Sequence, residues 1–150
     1  MIMITSEKQY EAAKEQLQML SQSLLSPLKN DVPIAIEAAA KSQLQELIDE
    51  IKKNMDEYSK LIKNNNAAIE IHSLDDLLAA PIRYRLATHM TIEGFGQKVG
   101  VSARQIARYE KEEYQNINTS TLKKILRELD VHINGKITQK NNKNNERKAS

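Results

Sequence analysis

Cysteine and tryptophan are absent from the 150-residue sequence, and phenylalanine occurs once. Without cysteine there can be no disulfide framework and no thiolate metal site, which agrees with a reducing cytoplasm. Five tyrosines are the only other aromatics, so a core must be built from Leu, Ile, Val, Ala and Met, which favours helices over a β-sandwich. Long apolar runs are missing too. None approaches the roughly 18 residues of a membrane span, and the opening Met1-Ile2-Met3-Ile4 is too short for a signal-peptide core and lacks a basic lead. A soluble, cytoplasmic, all-α protein with no membrane association is expected.

Catalytic constellations are equally scarce. His72, His89 and His132 are isolated in sequence, with no second ligand at metal spacing. Gly94-Phe95-Gly96 follows no strand and falls within an amphipathic helical pattern, unlike a phosphate-binding loop. Carboxylate pairs such as Asp49-Glu50 and Asp56-Glu57 fit solvated helix faces. Neither an enzyme nor a metal or cofactor site is expected.

The formal charge of +2 conceals an asymmetry. Residues 1–78 carry 8 Lys and Arg against 13 Asp and Glu, residues 79–135 carry 9 against 6, and residues 136–150 carry 5 against 1. An acidic half and a basic half point to different partners. The length suits two small units.

Tyr10, Ala13, Leu17, Leu20 and Leu24 recur at steps of three and four, the spacing of one helical stripe. Thr5 or Ser6 can cap that helix, with Gln9 placed to complete a capping box, and Ser26-Pro27 ends it. Turn chemistry in residues 27–33 leads to a second stripe, Leu44, Leu47, Ile51, Met55, Tyr58 and Ile62, on a helix over residues 34–62. The two are expected to fold back as an antiparallel hairpin, residues 1–66. Asn64-Asn65-Asn66 closes it, residues 67–73 form a linker, and Ser73 begins the next element with Asp75 and Asp76 in its first turn. Four short helices are predicted at residues 74–89, 92–99, 103–111 and 120–129. Pro81 is either tolerated in the first of these or marks its true start. The tail, residues 135–150, is rich in Asn, Lys and Gln, has little to bury and is expected to be disordered.

The run from Thr91 to Glu110 is a helix, a tight turn and a second helix. Phe95 and Val99 lie four apart on the first, and Ile106 and Tyr109 three apart on the second, so both can face one small core. Gly100 falls where a left-handed backbone is needed, and Ser102 can cap the second helix. Ala103, Arg104 and Gln105 then occupy its first turn, with Arg108 one turn on, away from the core and able to reach base edges in a major groove.

Thr91, Gln97-Lys98-Val99-Gly100-Val101-Ser102, Arg104-Gln105-Ile106, Tyr109-Glu110 and the closing Leu122, Ile125-Leu126, Leu129-Asp130-Val131 set together resemble the Cro/C1-type helix-turn-helix, or XRE, family of regulators. The resemblance covers residues 74–134 and implies a lambda-repressor-like fold acting on a double-stranded DNA operator. It implies that residues 103–111 form the recognition helix, with Ala103, Arg104, Gln105 and Arg108 at bases, and with Thr91, Gln97, Ser102, Asn118 and Thr119 at phosphates. It places Arg85 and Glu110 as a structural ion pair, and Phe95, Val99, Gly100, Ile106 and Tyr109 in the motif's core. Three features depart from the family pattern. Gly96 stands where the family usually has alanine, and an interior glycine costs about 0.5–1 kcal/mol relative to alanine. Glu93 would repel a nearby phosphate, and the acids of Lys111-Glu112-Glu113-Tyr114 lie near the expected DNA surface. Weakened DNA binding, or a motif kept only for packing, is the competing reading.

With its opening Met3-Ile4-Thr5-Ser6-Glu7-Lys8-Gln9-Tyr10, a long helical pair and then Ser73-Leu74-Asp75-Asp76-Leu77, the N-terminal half is similar to an antitoxin-like subgroup of these regulators that carries a helical extension. That likeness implies a homodimer and a small basic toxin bound through residues 1–66, within a toxin-antitoxin module that autoregulates its operon. The alternatives are a hairpin that only dimerises the chain, a phage-type repressor without a toxin, and an interaction adaptor whose hairpin is the working surface. The basic residues Lys136, Lys140, Lys143, Arg147 and Lys148 serve either nonspecific phosphate contact or solubility.

Overall fold

In a computed structural model the chain is all-α, and residues 3–26, 31–64 and 67–140 are described. Their six helices are α1 (Glu7–Leu25), α2 (Ile34–Ile62), α3 (Leu74–Ala87), α4 (Ile92–Val99), α5 (Ala103–Lys111) and α6 (Thr119–Glu128). No strand occurs among the described residues. The predicted turn at residues 27–30, Asn65-Asn66 and the tail at residues 141–150 lie outside them.

Local chemistry sets most boundaries. Ser6 caps α1 by accepting the Gln9 amide at 3.2 Å, while Gln9 Oε1 accepts the Thr5 amide at 2.8 Å. This near-capping box satisfies donors that a helix start leaves free. Ser73, Thr91, Ser102 and Asn118 cap α3, α4, α5 and α6 in the same way. With Asn118 as the cap, α6 starts at Thr119 rather than at the expected Ser120.

In α3 one alternative is decided, in favour of a tolerated Pro81, and one expectation is corrected. The helix begins at Leu74, so Pro81 lies in its interior, with a fully buried ring. The helix tolerates the missing N–H there because the ring fills the core. The helix also stops at Ala87, before the predicted residue 89. His89 adopts φ 56°, its amide donates to Leu86 O at 3.2 Å, and the Met90 amide donates to Arg85 O at 3.0 Å. That is a Schellman ending with histidine in the place usually held by glycine.

Helices α1 and α2 pack as an antiparallel hairpin, with Tyr10 and Tyr58 ring centroids 5.4 Å apart. The inner stripe of α1 is the expected one, yet each of its members is only half-buried. On α2 the buried positions are Ile48 and Ile51, whereas Leu47 is exposed. The inward seam therefore runs through Leu44, Ile48, Ile51, Met55 and Tyr58, and the predicted stripe was one residue out at Leu47.

The remaining helices enclose a core of Ile82, Leu86, Phe95, Val99, Ile106, Tyr109, Tyr114, Ile125 and Leu129. Each such side chain, fully buried, contributes about 1.5–3 kcal/mol. Tyr58, Leu61 and Ile62 at the end of α2, and Met3 before α1, pack against the same core. The base of the hairpin is thereby joined to the four short helices. No described helix is long and apolar enough to cross a membrane.

Candidate nucleic-acid interface

Helices α4 and α5 meet through a turn of unusual tightness. Gly100 takes φ 71°, and its amide and that of Val101 both converge on Gly96 O, the latter at 3.0 Å. A Cβ on Gly96 would sit 2.5 Å from the Val101 carbonyl oxygen. The glycine is therefore a condition of the close approach of α4 to the start of α5, and a propensity argument against it misjudges its role. From α6, Lys124 Nζ donates to Gly100 O at 2.8 Å and clasps the turn from outside. Nothing in the local sequence pattern marks Lys124 for that task.

Behind the turn, Phe95, Val99, Ile106 and Tyr109 are buried and fix the angle between the two helices. The opposite face of α5 carries Arg104, Gln105 and Arg108, all exposed, with Ala103 half-buried beside them. Arg104 and Arg108 are one turn apart and share a side of the helix. The Arg108 guanidinium lies 5.4 Å from the Tyr109 ring centroid, and Tyr109 donates its hydroxyl to Gln105 Oε1 at 3.4 Å. Tyr109 thus braces two of the polar side chains from below while its ring sits in the core.

Thr91, Gln97, Ser102, Asn118 and Thr119 are likewise exposed. Thr91 Oγ1, Ser102 Oγ and Asn118 Oδ1 accept the amides of Gly94, Gln105 and Thr121 at 3.0, 3.3 and 2.8 Å. Capping uses only an oxygen lone pair in each case. The hydroxyl protons of Thr91 and Ser102 and the amide NH2 of Asn118 stay available as donors, beside helix N-termini that favour anions. Glu93 shares a shallow depression at the turn with Gln97, Ser102 and Ala103, so its charge lies among these donors.

The far end of α5 is held by a buried ion pair. Arg85 Nε and Nη2 donate to the two Glu110 carboxylate oxygens, both at 2.7 Å, and the side chains are 9% and 5% exposed. Nη1 donates to Met90 O at 3.1 Å, and Nη2 also to Thr5 O at 3.0 Å. Four hydrogen bonds from the guanidinium offset the desolvation of a buried charge. The Met3 amide donates to Glu113 Oε1 at 2.9 Å. That acid faces the segment before α1, so the expectation that the α5–α6 loop acids crowd the DNA surface is corrected for Glu113. Tyr114 beside it is buried with no partner for its hydroxyl. Burial in the field of Glu110 pushes its ionisation far above the ordinary tyrosine range.

Two short helices about a glycine turn, the second with a free cationic face, define the helix-turn-helix class of DNA-binding domain. Residues 82–135 match the family model described as Helix-turn-helix, which supports a DNA-binding transcription regulator of the XRE type. The match leaves both hairpin helices outside it. No curated protein and no solved structure gives a significant match to the chain.

Proposed function

We propose that the chain is a sequence-specific transcriptional regulator that binds a palindromic operator as a dimer, reading bases with Arg104, Gln105 and Arg108. The observation that carries this reading is the exposed polar face of α5, which neither the hairpin nor the α5–α6 loop covers. Two such helices about 34 Å apart reach successive major-groove faces, which one small module cannot do. The phosphate donors are then the cap residues Thr91, Ser102 and Asn118, with Gln97 and Thr119.

The experiment is a titration of the chain against DNA from its own promoter and against unrelated DNA. If Arg104 is bidentate to guanine, Arg104→Ala loses about 1–3 kcal/mol on the operator and relaxes base preference. A merely phosphate-bound arginine gives uniform weakening and a shallower salt slope. Unchanged binding of every sequence by an Arg104→Ala, Arg108→Ala double variant would refute the assignment.

We further propose that the regulator is the antitoxin of a two-gene module, its hairpin holding a small basic toxin. Support comes from the acidic balance of residues 1–78 and from Met19, Leu25, Ile34 and Ile36, large apolar side chains 61–84% exposed on the hairpin. Exposed apolar side chains of this size mark an interaction surface where they adjoin in one patch. In a capture experiment with the product of the adjacent gene, Leu25→Asp with Ile34→Asp should release the partner and leave operator binding intact. Retention of the partner by that variant would remove the hairpin from the interface. Capture of partners without any operator footprint would favour an adaptor.

A further inference from the structure

Between the end of α2 and the end of α6 lies an open groove of about 660 Å3, bounded by residues 67–72 and by the turn that closes α6 with the two residues after it. One wall is residues 67–72 and the other residues 129–132, with Ala80 and Tyr84 of α3 as the floor. The first wall is pinned only at its ends. Ala67 N donates to Asn64 Oδ1 at 2.7 Å, and His72 N donates to Asp76 Oδ2 at 2.9 Å. Between these clamps no backbone–backbone hydrogen bond occurs among the described residues, and none occurs from Val131 to Lys140.

Both segments nevertheless carry the alternation of half-buried strands. Ile69 and Ile71 flank Glu70. Val131, Ile133 and Ile137 fall on one face of an extended chain, with His132, Asn134, Lys136 and Thr138 on the other. On its own chain this arm buries almost nothing, Ile133 being 65% and Ile137 fully exposed. Asn134-Gly135 is the dipeptide that most readily forms a tight hairpin turn, which needs positive φ at both residues. Neither has it. The arm does not fold back at that point, its residues 133–140 line no part of their own groove, and ten extended residues can reach about 30 Å.

We propose that the groove of one copy receives the arm of a second copy, residues 133–139, as an added β-strand, and that the exchange is mutual. Paired along residues 67–72, the arm satisfies backbone groups left free there and buries Ile133 and Ile137 against Ile69, Ile71, Tyr84 and Leu129. Charge agrees, since the arm brings Lys136 and Lys140 to a groove edged by Glu70 and Asp130. Mutual exchange gives a two-fold, self-complementary contact that closes at two copies. The inference deepens the proposed function, on which it rests for the need of a second copy, by naming the surface that joins the two.

The absence of cysteine makes a clean test possible. Full-length Ala68→Cys and Ile137→Cys chains are mixed without DNA and oxidised, and separately the double variant is oxidised. An Ala68–Ile137 cross-linked heterodimer, together with at least a tenfold weaker dimer for Ile137→Asp in sedimentation, is the expected result. A cross-link within single chains of the double variant would place the arm in its own groove and overturn the exchange. Absence of any cross-link, or a dimer indifferent to Ile137→Asp, would overturn it as well. Because no DNA is present, these failures stay distinct from a failure of operator binding by the parent chain.

Discussion

Replacing Gly96 by alanine sets helix propensity against packing, and the structure decides the sign. Alanine in a helix is worth about 0.5–1 kcal/mol over glycine. The added Cβ, however, would lie 2.5 Å from Val101 O and 3.4 Å from Ala103 N. Carbon–oxygen contacts relax only at about 3.3–3.6 Å, so the turn must open by roughly 0.8–1.1 Å. It cannot do so freely. The Val101 amide is bonded to Gly96 O, and Lys124 holds Gly100 O. Overpacking costs about 1–3 kcal/mol, and a 2.5 Å contact with backbone belongs to the upper part of that range, about 2–3 kcal/mol, so that a net loss of about 1–2.5 kcal/mol remains after the propensity gain. Because Ala103 must move with Val101, Arg104 is displaced too, so operator affinity should fall by more than the stability change explains. Gly94 is the control, since a Cβ there meets only the Thr91 hydroxyl at 3.2 Å, a side-chain atom. Urea melts followed by far-ultraviolet circular dichroism, with anisotropy titrations on the operator, read both quantities. A Gly96→Ala chain as stable as the parent and equally tight on DNA would refute the claim that the turn is closed to a methyl group.

The Arg85–Glu110 pair and Tyr114 give two further expectations. Glu110→Gln strands a buried guanidinium and should cost about 3–5 kcal/mol in urea melts, with faster hydrogen exchange around Thr5; a loss under 1 kcal/mol would show that the pair is not holding α5. Tyr114→Phe removes a buried hydroxyl without a partner and should stabilise the chain by about 1–2 kcal/mol. The raised ionisation of Tyr114 means that its contribution is complete below pH 10.0, the ordinary tyrosine value, and is lost as pH climbs toward the folded value. Melts at pH 8 and pH 11 should therefore show a smaller alkaline loss in the Phe variant. An equal or larger loss would contradict burial of the phenol.

How much could be read in advance follows from where the determining contacts lie. Ser102, Gly100 and Thr91 act on amides within a few residues, so α4, the turn and α5 were legible in the sequence from cap chemistry and the three-and-four spacing of Phe95, Val99, Ile106 and Tyr109. The end of α3 was not, because His89 adopts a left-handed backbone without the glycine that usually signals it. Leu47 and Ile48 are neighbours on α2, and periodicity alone could not choose which faces inward. Contacts between distant segments left no local mark at all. Arg85 reaches Thr5 across 80 residues, and Met3 reaches Glu113 across 110. The alternation in Ile69-Glu70-Ile71 and Val131-His132-Ile133 was present but is short, and it lies in segments that read as linker and as the end of the helix-turn-helix region.

Those distant contacts change how the two halves of the chain must be tested. Arg85 holds Glu110 at the end of the helix that carries Arg104 and Arg108, and through Nη2, which serves both, it holds Thr5, one residue before the cap of α1. Glu110 sits near a helix C-terminus, where the backbone carbonyls disfavour an anion, so the guanidinium is needed for α5 to keep that carboxylate. Deleting residues 1–66 would remove Thr5 O from Arg85, Met3 from Glu113 and Tyr58, Leu61 and Ile62 from the core. Loss of DNA binding in such a truncation would then report a loosened α5 as readily as a lost partner or dimer contact. Substitutions at the far end of the hairpin, Leu25 and Ile34, avoid this ambiguity, because both side chains are 84% exposed and support nothing in the core.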